Sequence, residues 1–252
     1  MYKLVVLISI CVAGSSGDSP RIVNGTQATL GEFPYIVSIQ IFGRHNCGGS
    51  ILDATHILTA AHCVQGFEAY EFYIQYGVVD LQETRNRIKV SDRVYHAGFS
   101  KSHGFFDIAI LTLEESIEFD DNAQPAQLPE PWALTPENAS SVLAGWGFQQ
   151  TGGNVSRHLL KVDLTVFEDD VCEATYNDTM KTNSDIQLCS GVVGGGRGQC
   201  SGDSGGPLFA DGVQVGVVSW SLKPCAQEGL PGVFTKVSMY LRWINKQIQN
   251  SN

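Results

Sequence analysis

The stretch Tyr35-Ile-Val-Ser-Ile-Gln-Ile41 sets the architecture. Val37, Ile39 and Ile41 alternate with Ser38 and Gln40, which is the period of a β-strand and not of a helix. Outward from it, short apolar runs recur at 57–58, 72–76, 108–113, 142–144, 159–166, 213–220 and 233–237. Clusters of Gly, Asn, Asp and Pro separate them, as antiparallel sandwiches or barrels require. Helical spacing is clear only near the end, where Leu241, Ile244 and Ile248 fall on one face. Pro125, Pro129, Pro131 and Pro136 interrupt the middle of the chain. Proline removes backbone donors, which predicts a linker over 125–136 between two β units, 22–124 and 137–252. No internal repeat is visible between the halves.

Composition agrees with this reading. The 252 residues are 43% hydrophobic and 17% charged, with 27 glycines, which excludes a disordered chain and favours a loop-rich β protein over a helical bundle. The formal charge of −10 argues against nucleic acid or an anionic membrane as partner. There is no Gly-X-Y repeat, heptad or long apolar span, so collagen, coiled coil and polytopic membrane protein are excluded. Residues 1–17 open with Met-Tyr-Lys, continue with an apolar run from Leu4 to Ala13 and exit through Gly14-Ser-Ser-Gly17. That pattern is a secretory signal peptide and places the mature chain outside the cell. Of the 7 cysteines, Cys11 falls in this segment. Cys47, Cys63, Cys172, Cys189, Cys200 and Cys225 remain, an even number suited to an oxidising compartment. Their spacing leaves every pairing open. No Cys-x-x-Cys or His-x-x-x-His occurs, so no structural zinc is expected.

Three short motifs carry chemistry: Leu58-Thr-Ala-Ala-His62-Cys63, Phe106-Asp107-Ile108-Ala-Ile-Leu111 and Gly202-Asp203-Ser204-Gly205-Gly206-Pro207. Taken singly, each has a plain structural reading: a core histidine, a turn aspartate, a tight glycine turn. Together, in the order His, Asp, Ser within a secreted β-rich chain, they resemble the trypsin/chymotrypsin-type serine endopeptidases, collinear over residues 22–252. The resemblance implies two antiparallel Greek-key β-barrels packed face to face, with a C-terminal α-helix and the cleft between the barrels. It implies Ser204 as nucleophile, His62 as general base and then acid, and Asp107 as the group that orients the imidazole. Ser219 matches the family serine that contacts this aspartate. The Gly202 and Ser204 amides would form the oxyanion hole. Arg21-Ile22-Val23-Asn24-Gly25 resembles a zymogen junction preceded by an activation propeptide, 18–21. Cleavage after Arg21 by a trypsin-like enzyme would free the Ile22 ammonium to pair with Asp203 and order the site.

The pocket departs from trypsin. Gly198 stands where trypsins carry an aspartate, and without that charge a buried Lys or Arg would be uncompensated. Gln199 puts a neutral amide near the base, Ser219-Trp220-Ser221 replaces the usual Ser-Trp-Gly, and Gly232 matches a wall glycine. These residues imply cleavage after large apolar side chains, with an elastase-like preference for small ones as the alternative. Sequons at Asn24, Asn138, Asn154 and Asn177 are glycosylation candidates. Val78 and Val79 replace a calcium carboxylate of some relatives, so no metal and no cofactor are expected. The expected partners are protein or peptide substrates, an activating protease and proteinaceous inhibitors of a monomer, with no nucleic acid and no membrane. Two rival readings stand beside this one. An inactive binding relative would be expected to lose a triad member, and all three are present. A lipase-type hydrolase, whose short Gly-x-Ser-x-Gly pattern is matched at 202–206, would have the order Ser, Asp, His and a βαβ alternation that this chain lacks.

Overall fold

The computed structural model describes residues 22–102, 104–176 and 180–251, so the expected signal peptide and propeptide, with Arg21, and the sequon Asn177 lie outside the described residues. Strands β1 (Thr26–Gln27), β2 (Ile36–Ile41), β3 (Arg44–Ile51), β4 (His56–Thr59), β5 (Phe72–Tyr76), β6 (Arg87–Tyr95) and β7 (Ala109–Leu113) come first. They are followed by β8 (Ser140–Gly145), β9 (Leu160–Val166), β10 (Gln187–Gly191), β11 (Pro207–Ala210), β12 (Val213–Trp220) and β13 (Gly232–Lys236). The helices are α1 (Ala61–Val64), α2 (Asp169–Tyr176) and α3 (Leu241–Ser251).

Two closed antiparallel barrels result. The first runs β2-β3-β4-β7-β6-β5, with β5 returning to β2. The second runs β8-β9-β10-β13-β12-β11, with β8 pairing both β9 and β11. Both therefore follow the same Greek-key path, three neighbouring strands and then a jump to the far edge. This is a repeat of winding that the sequence does not display. The first barrel fills with Val37, Ile39, Ile57, Leu58, Ile74 and Ile110. The second fills with Leu143, Leu160, Leu188, Leu208, Val218 and Phe234.

Strand β2 shows what closure does to an alternating strand. Its apolar face enters the barrel core, yet Ser38 and Gln40 are buried too. A buried polar group needs a partner, and these have them: Gln40 Nε2 donates to Gln75 Oε1 at 2.7 Å, and the Ser38 hydroxyl lies 2.8 Å from His45 Nδ1. The strands of the two barrels divide between 22–124 and 137–252, but the two ends of the described chain cross over. Strand β1 pairs with β9 and Ile22 enters the second core. Helix α3 instead packs on the first barrel through Leu241 and Ile244, and Ser251 Oγ lies 2.8 Å from His56 Nε2. Each barrel is thereby held by a segment from the other half, which clamps the cleft between them.

Candidate active site

His62 sits in α1, at the end of β4, with its side chain 27% exposed, whereas Asp107 is 2% exposed. Asp107 lies in a three-residue turn closed by Ile108 N–H donating to Phe106 O at 2.9 Å. Phe106 enters that turn at φ +57°, a conformation non-glycine residues rarely take. It is held by its ring, stacked on His96 at 4.9 Å and set edge-on to Tyr240 at 6.5 Å. Within the turn the buried carboxylate is fully engaged. Oδ1 accepts from the His62 amide at 2.9 Å; Oδ2 accepts from His62 Nδ1 at 2.7 Å and from the Ser219 hydroxyl at 2.6 Å. The Asp107 carbonyl accepts from Thr235 Oγ1 at 2.8 Å, a bond from the second barrel. Since a carboxylate only accepts, the Nδ1 proton is fixed on the ring and Nε2 is left with its lone pair.

Ser204 comes from the second barrel, on the glycine-rich turn before β11. Its carbonyl accepts from Gly48 N–H at 2.8 Å, which docks the turn on β3. Gly205 presses against the end of β4: a Cβ there would lie 2.2 Å from Thr59 Oγ1 and 2.6 Å from Gly48 O, so the approach requires glycine. Thr59 and Ala60 lead on through Ala61 to His62, so the turn of Ser204 docks on the segment that carries the imidazole. Among the described residues no hydrogen bond joins Ser204 Oγ to His62 Nε2, and the disulfide-bonded Cys63 Sγ, 3.7 Å from Nε2, has no proton to donate to it. Catalytic hydrogen bonds of this kind commonly tighten only with substrate in place. Gly202 takes φ +93°, and among the described residues neither its amide nor that of Ser204 donates to a backbone carbonyl. Both N–H groups are thus available to a ligand oxygen.

The structure pairs Cys47 with Cys63, Cys172 with Cys189 and Cys200 with Cys225. The first ties β3 to the helix of His62, and the third ties the Ser204 turn to the segment after β12. Cys47, His62 and Cys63 come close enough to suggest a metal cluster, but both sulfurs are spent in a disulfide.

Residues 22–244 match the family described as Trypsin. A vitellin-degrading protease of Bombyx mori is 33% identical over 97% of this chain and 95% of its own length. This chain belongs to the trypsin family. Another relative, Trypsin Blo t 3 of Blomia tropicalis, is 34% identical over 96% of both chains. Among solved structures, human heparin binding protein superposes with a TM-score of 0.80 and 31% identity, over 91% of this chain and 97% of its own. The fold is accordingly the two-barrel fold of that family, and the chain is a trypsin-family serine protease.

In this trypsin-family chain Asp203 is wholly buried. Oδ1 accepts from Gly147 N–H at 2.8 Å and Oδ2 from Cys200 N–H at 2.9 Å. Burial pushes its pKa up to about 6, against the two backbone bonds and the charge of Lys223. Gly145 and Gly147 allow the approach, since a Cβ on Gly147 would lie 2.3 Å from the carboxylate. Ile22 is buried in the neighbouring core and Val23 bridges to Gly198, so the junction segment reaches this side of the barrel. Sequence reasoning missed His45. Its Nε2–H donates to Gly202 O at 2.8 Å, its Nδ1 accepts from Ser38, and burial holds its pKa down to about 4. A neutral ring is therefore what holds the Gly202 carbonyl. The only signal was a histidine in a strand two residues before Cys47.

The pocket is narrow and partly open to solvent, and Gly198, Gln199, Ser221, Ala226 and Gly232 are among its lining residues. Among the described residues no carboxylate lines it: Arg197 and Gln227 do, while Glu228 is exposed. Trp220, next to the lining residue Ser221, packs edge-on against Tyr176 at 4.8 Å. Of the sequons, Asn24 Nδ2 donates to Gly196 O at 2.7 Å and Asn138 Nδ2 to Glu168 at 3.0 Å, while Asn154 is exposed.

Proposed function

We propose that this trypsin-family chain is a secreted endopeptidase, made as a zymogen, that cleaves after uncharged residues through an acyl-enzyme on Ser204. The observation that carries the reading is the Asp107–His62 pair: one buried carboxylate, three donors, and an imidazole with Nε2 free on the side that Ser204 approaches. In the reaction His62 Nε2 takes the Ser204 proton as Oγ attacks the scissile carbonyl. The imidazolium then hands that proton to the leaving amine, and Asp107 stabilises the ring's positive charge throughout. The Gly202 and Ser204 amides meet the oxygen that becomes charged, a contribution of about 3 kcal/mol per donor. Water repeats the sequence to release the acyl group.

Activation follows from Asp203. A buried carboxylate with two backbone donors and no side-chain cation within ion-pair distance, among the described residues, is costly to ionise. The Ile22 ammonium released by a cut after Arg21 would supply that cation and fix the adjoining Gly202–Ser204 backbone. The pocket base, Gly198 and Gln199, has no negative charge for Lys or Arg, which supports an uncharged side chain before the cut. A binding role like that in the name of the human heparin binding protein is disfavoured, because a formal charge of −10 repels a polyanion.

A fluorophosphonate probe tests the core of this reading. The chain cut after Arg21 is expected to be labelled on Ser204, with labelling abolished by Ser204→Ala and nearly absent from uncut Arg21→Gln. A cut chain that resists the probe, or an uncut one labelled equally fast, overturns the catalytic or the zymogen part respectively.

A further inference from the structure

Gln199 lies 4% exposed on one wall of the pocket. Its side chain crosses to the other: Nε2 donates to Trp220 O at 2.7 Å. Because a carbonyl only accepts, this bond fixes which end of the amide is which, leaving Oε1 as the second polar atom. The amide also rests on Gly232, where a Cβ would lie 2.7 Å from Cδ and 2.9 Å from Oε1. It is therefore a bar across the pocket and not a mobile surface group. Oε1 is buried and, among the described residues, has no hydrogen-bond partner. Buried acceptors are rarely left in that state, and at a binding site a ligand commonly supplies the donor.

We propose that Gln199 sets the substrate class: the pocket is cut short by its amide and takes small uncharged side chains bearing a hydrogen-bond donor, such as Thr, Ser or Asn, ahead of apolar isosteres. The proposal rests on the endopeptidase reading and deepens it. Depth is limited because the amide fills the space over Gly232 that a long or aromatic side chain would enter. A donor is favoured because a Thr hydroxyl or Asn amide reaching Oε1 makes a bond that Val or Leu cannot. An apolar side chain instead leaves the acceptor unpaired in a desolvated site, which a polar pocket discriminates against. Positive charge is not needed and is not matched, since among the described residues no carboxylate lines the cavity and Arg197 does.

The test uses the processed enzyme and peptides that differ only at the residue before the cut. Thr is expected to exceed Val, and Asn to exceed Leu, by about tenfold in kcat/KM, with Phe cleaved slowest. Gln199→Met keeps the bulk and removes the acceptor, so both ratios are expected to fall to about one. Gln199→Ser removes the bar and is expected to raise cleavage after Phe at least tenfold. Equal or inverted ratios in the unmodified enzyme overturn the proposal, whatever the variants do; so does a Phe preference that Gln199→Ser leaves unchanged. Fluorophosphonate labelling separates this failure from a wider one. A labelled enzyme with flat ratios refutes only the role of Gln199, whereas an enzyme that takes no label refutes the endopeptidase reading itself.

Discussion

The first barrel offers the cleft two side chains, and the second offers it a stretch of backbone. His62 and Asp107 are held by hydrogen bonds to side-chain atoms, with the carboxylate's three donors all within 2.9 Å. Ser204 and its neighbours are held otherwise. Their turn is shaped by Gly202 and Gly205 at φ +93° and +78°, by close glycine contacts with β3 and β4, and by the buried carboxylate of Asp203. The two barrels follow one winding order, so topology does not cause the difference. What differs is where the ordering free energy resides. A side chain bonded three times keeps its place once its barrel is closed. A glycine-rich turn has wide conformational freedom and keeps its place only while its anchors hold. On the activation proposed above, the second half is the one that a proteolytic cut would govern.

Four experiments break or sharpen this contrast, in falling order of expected effect. Asp107→Asn removes the acceptor that fixes the His62 tautomer while preserving its shape; kcat/KM of the processed enzyme is expected to drop by about 10⁴ with the fold intact. Steady-state kinetics beside a near-ultraviolet dichroism spectrum would check this. Gly205→Ala attacks the other half, placing a Cβ 2.2 Å from Thr59 Oγ1 at a left-handed φ. Urea unfolding is expected to show a loss of about 3 kcal/mol or more, because both backbone and contact must shift.

The third concerns Asp203, whose pKa burial raises from 3.8 to about 6. Between those values the folded precursor keeps a proton that the unfolded chain has released. Stability of the Arg21→Gln precursor is therefore expected to fall as pH rises through this window, by up to about 3 kcal/mol, and to level off above it. In the cut form the Ile22 ammonium favours the ionised carboxylate, and this fall is expected to vanish. Thermal unfolding of both forms at stepped pH measures the difference; parallel curves would show that Asp203 does not distinguish them. The fourth and smallest is Phe106→Ala, which removes the ring stacked on His96 at 4.9 Å and loosens the turn of Asp107. About a tenfold loss in kcat/KM is expected, together with a displaced acid limb of the pH–rate profile. Phe106→Tyr, which keeps the stack, is expected to restore both.

Much of this protein was legible before its structure. The alternation in 35–41, the apolar runs that became β4, β5, β7, β8, β9, β12 and β13, and the face of Leu241, Ile244 and Ile248 are all local patterns. Strands β3, β6, β10 and β11 were harder to see. Strand β3 carries Gly48 and Gly49, and β6 carries Lys89, Ser91, Asp92 and Arg93 among its apolar residues, so neither reads as an apolar run. Helix α2 was missed for a related reason: only Cys172 and Tyr176 of it are buried, too few to leave a periodic stripe.

The residue order alone determined the β class and the three motifs, because each rests on neighbours within a few positions or on one short signature. Folding in three dimensions decided the rest. It chose the cysteine pairing, crossed the ends of the described chain between barrels, set His45 beneath Gly202 across 157 residues and swung Gln199 onto Trp220. Each of these is a contact between segments that share no local pattern, made because a closed barrel brings its distant loops to one rim and buried polar atoms there must find partners.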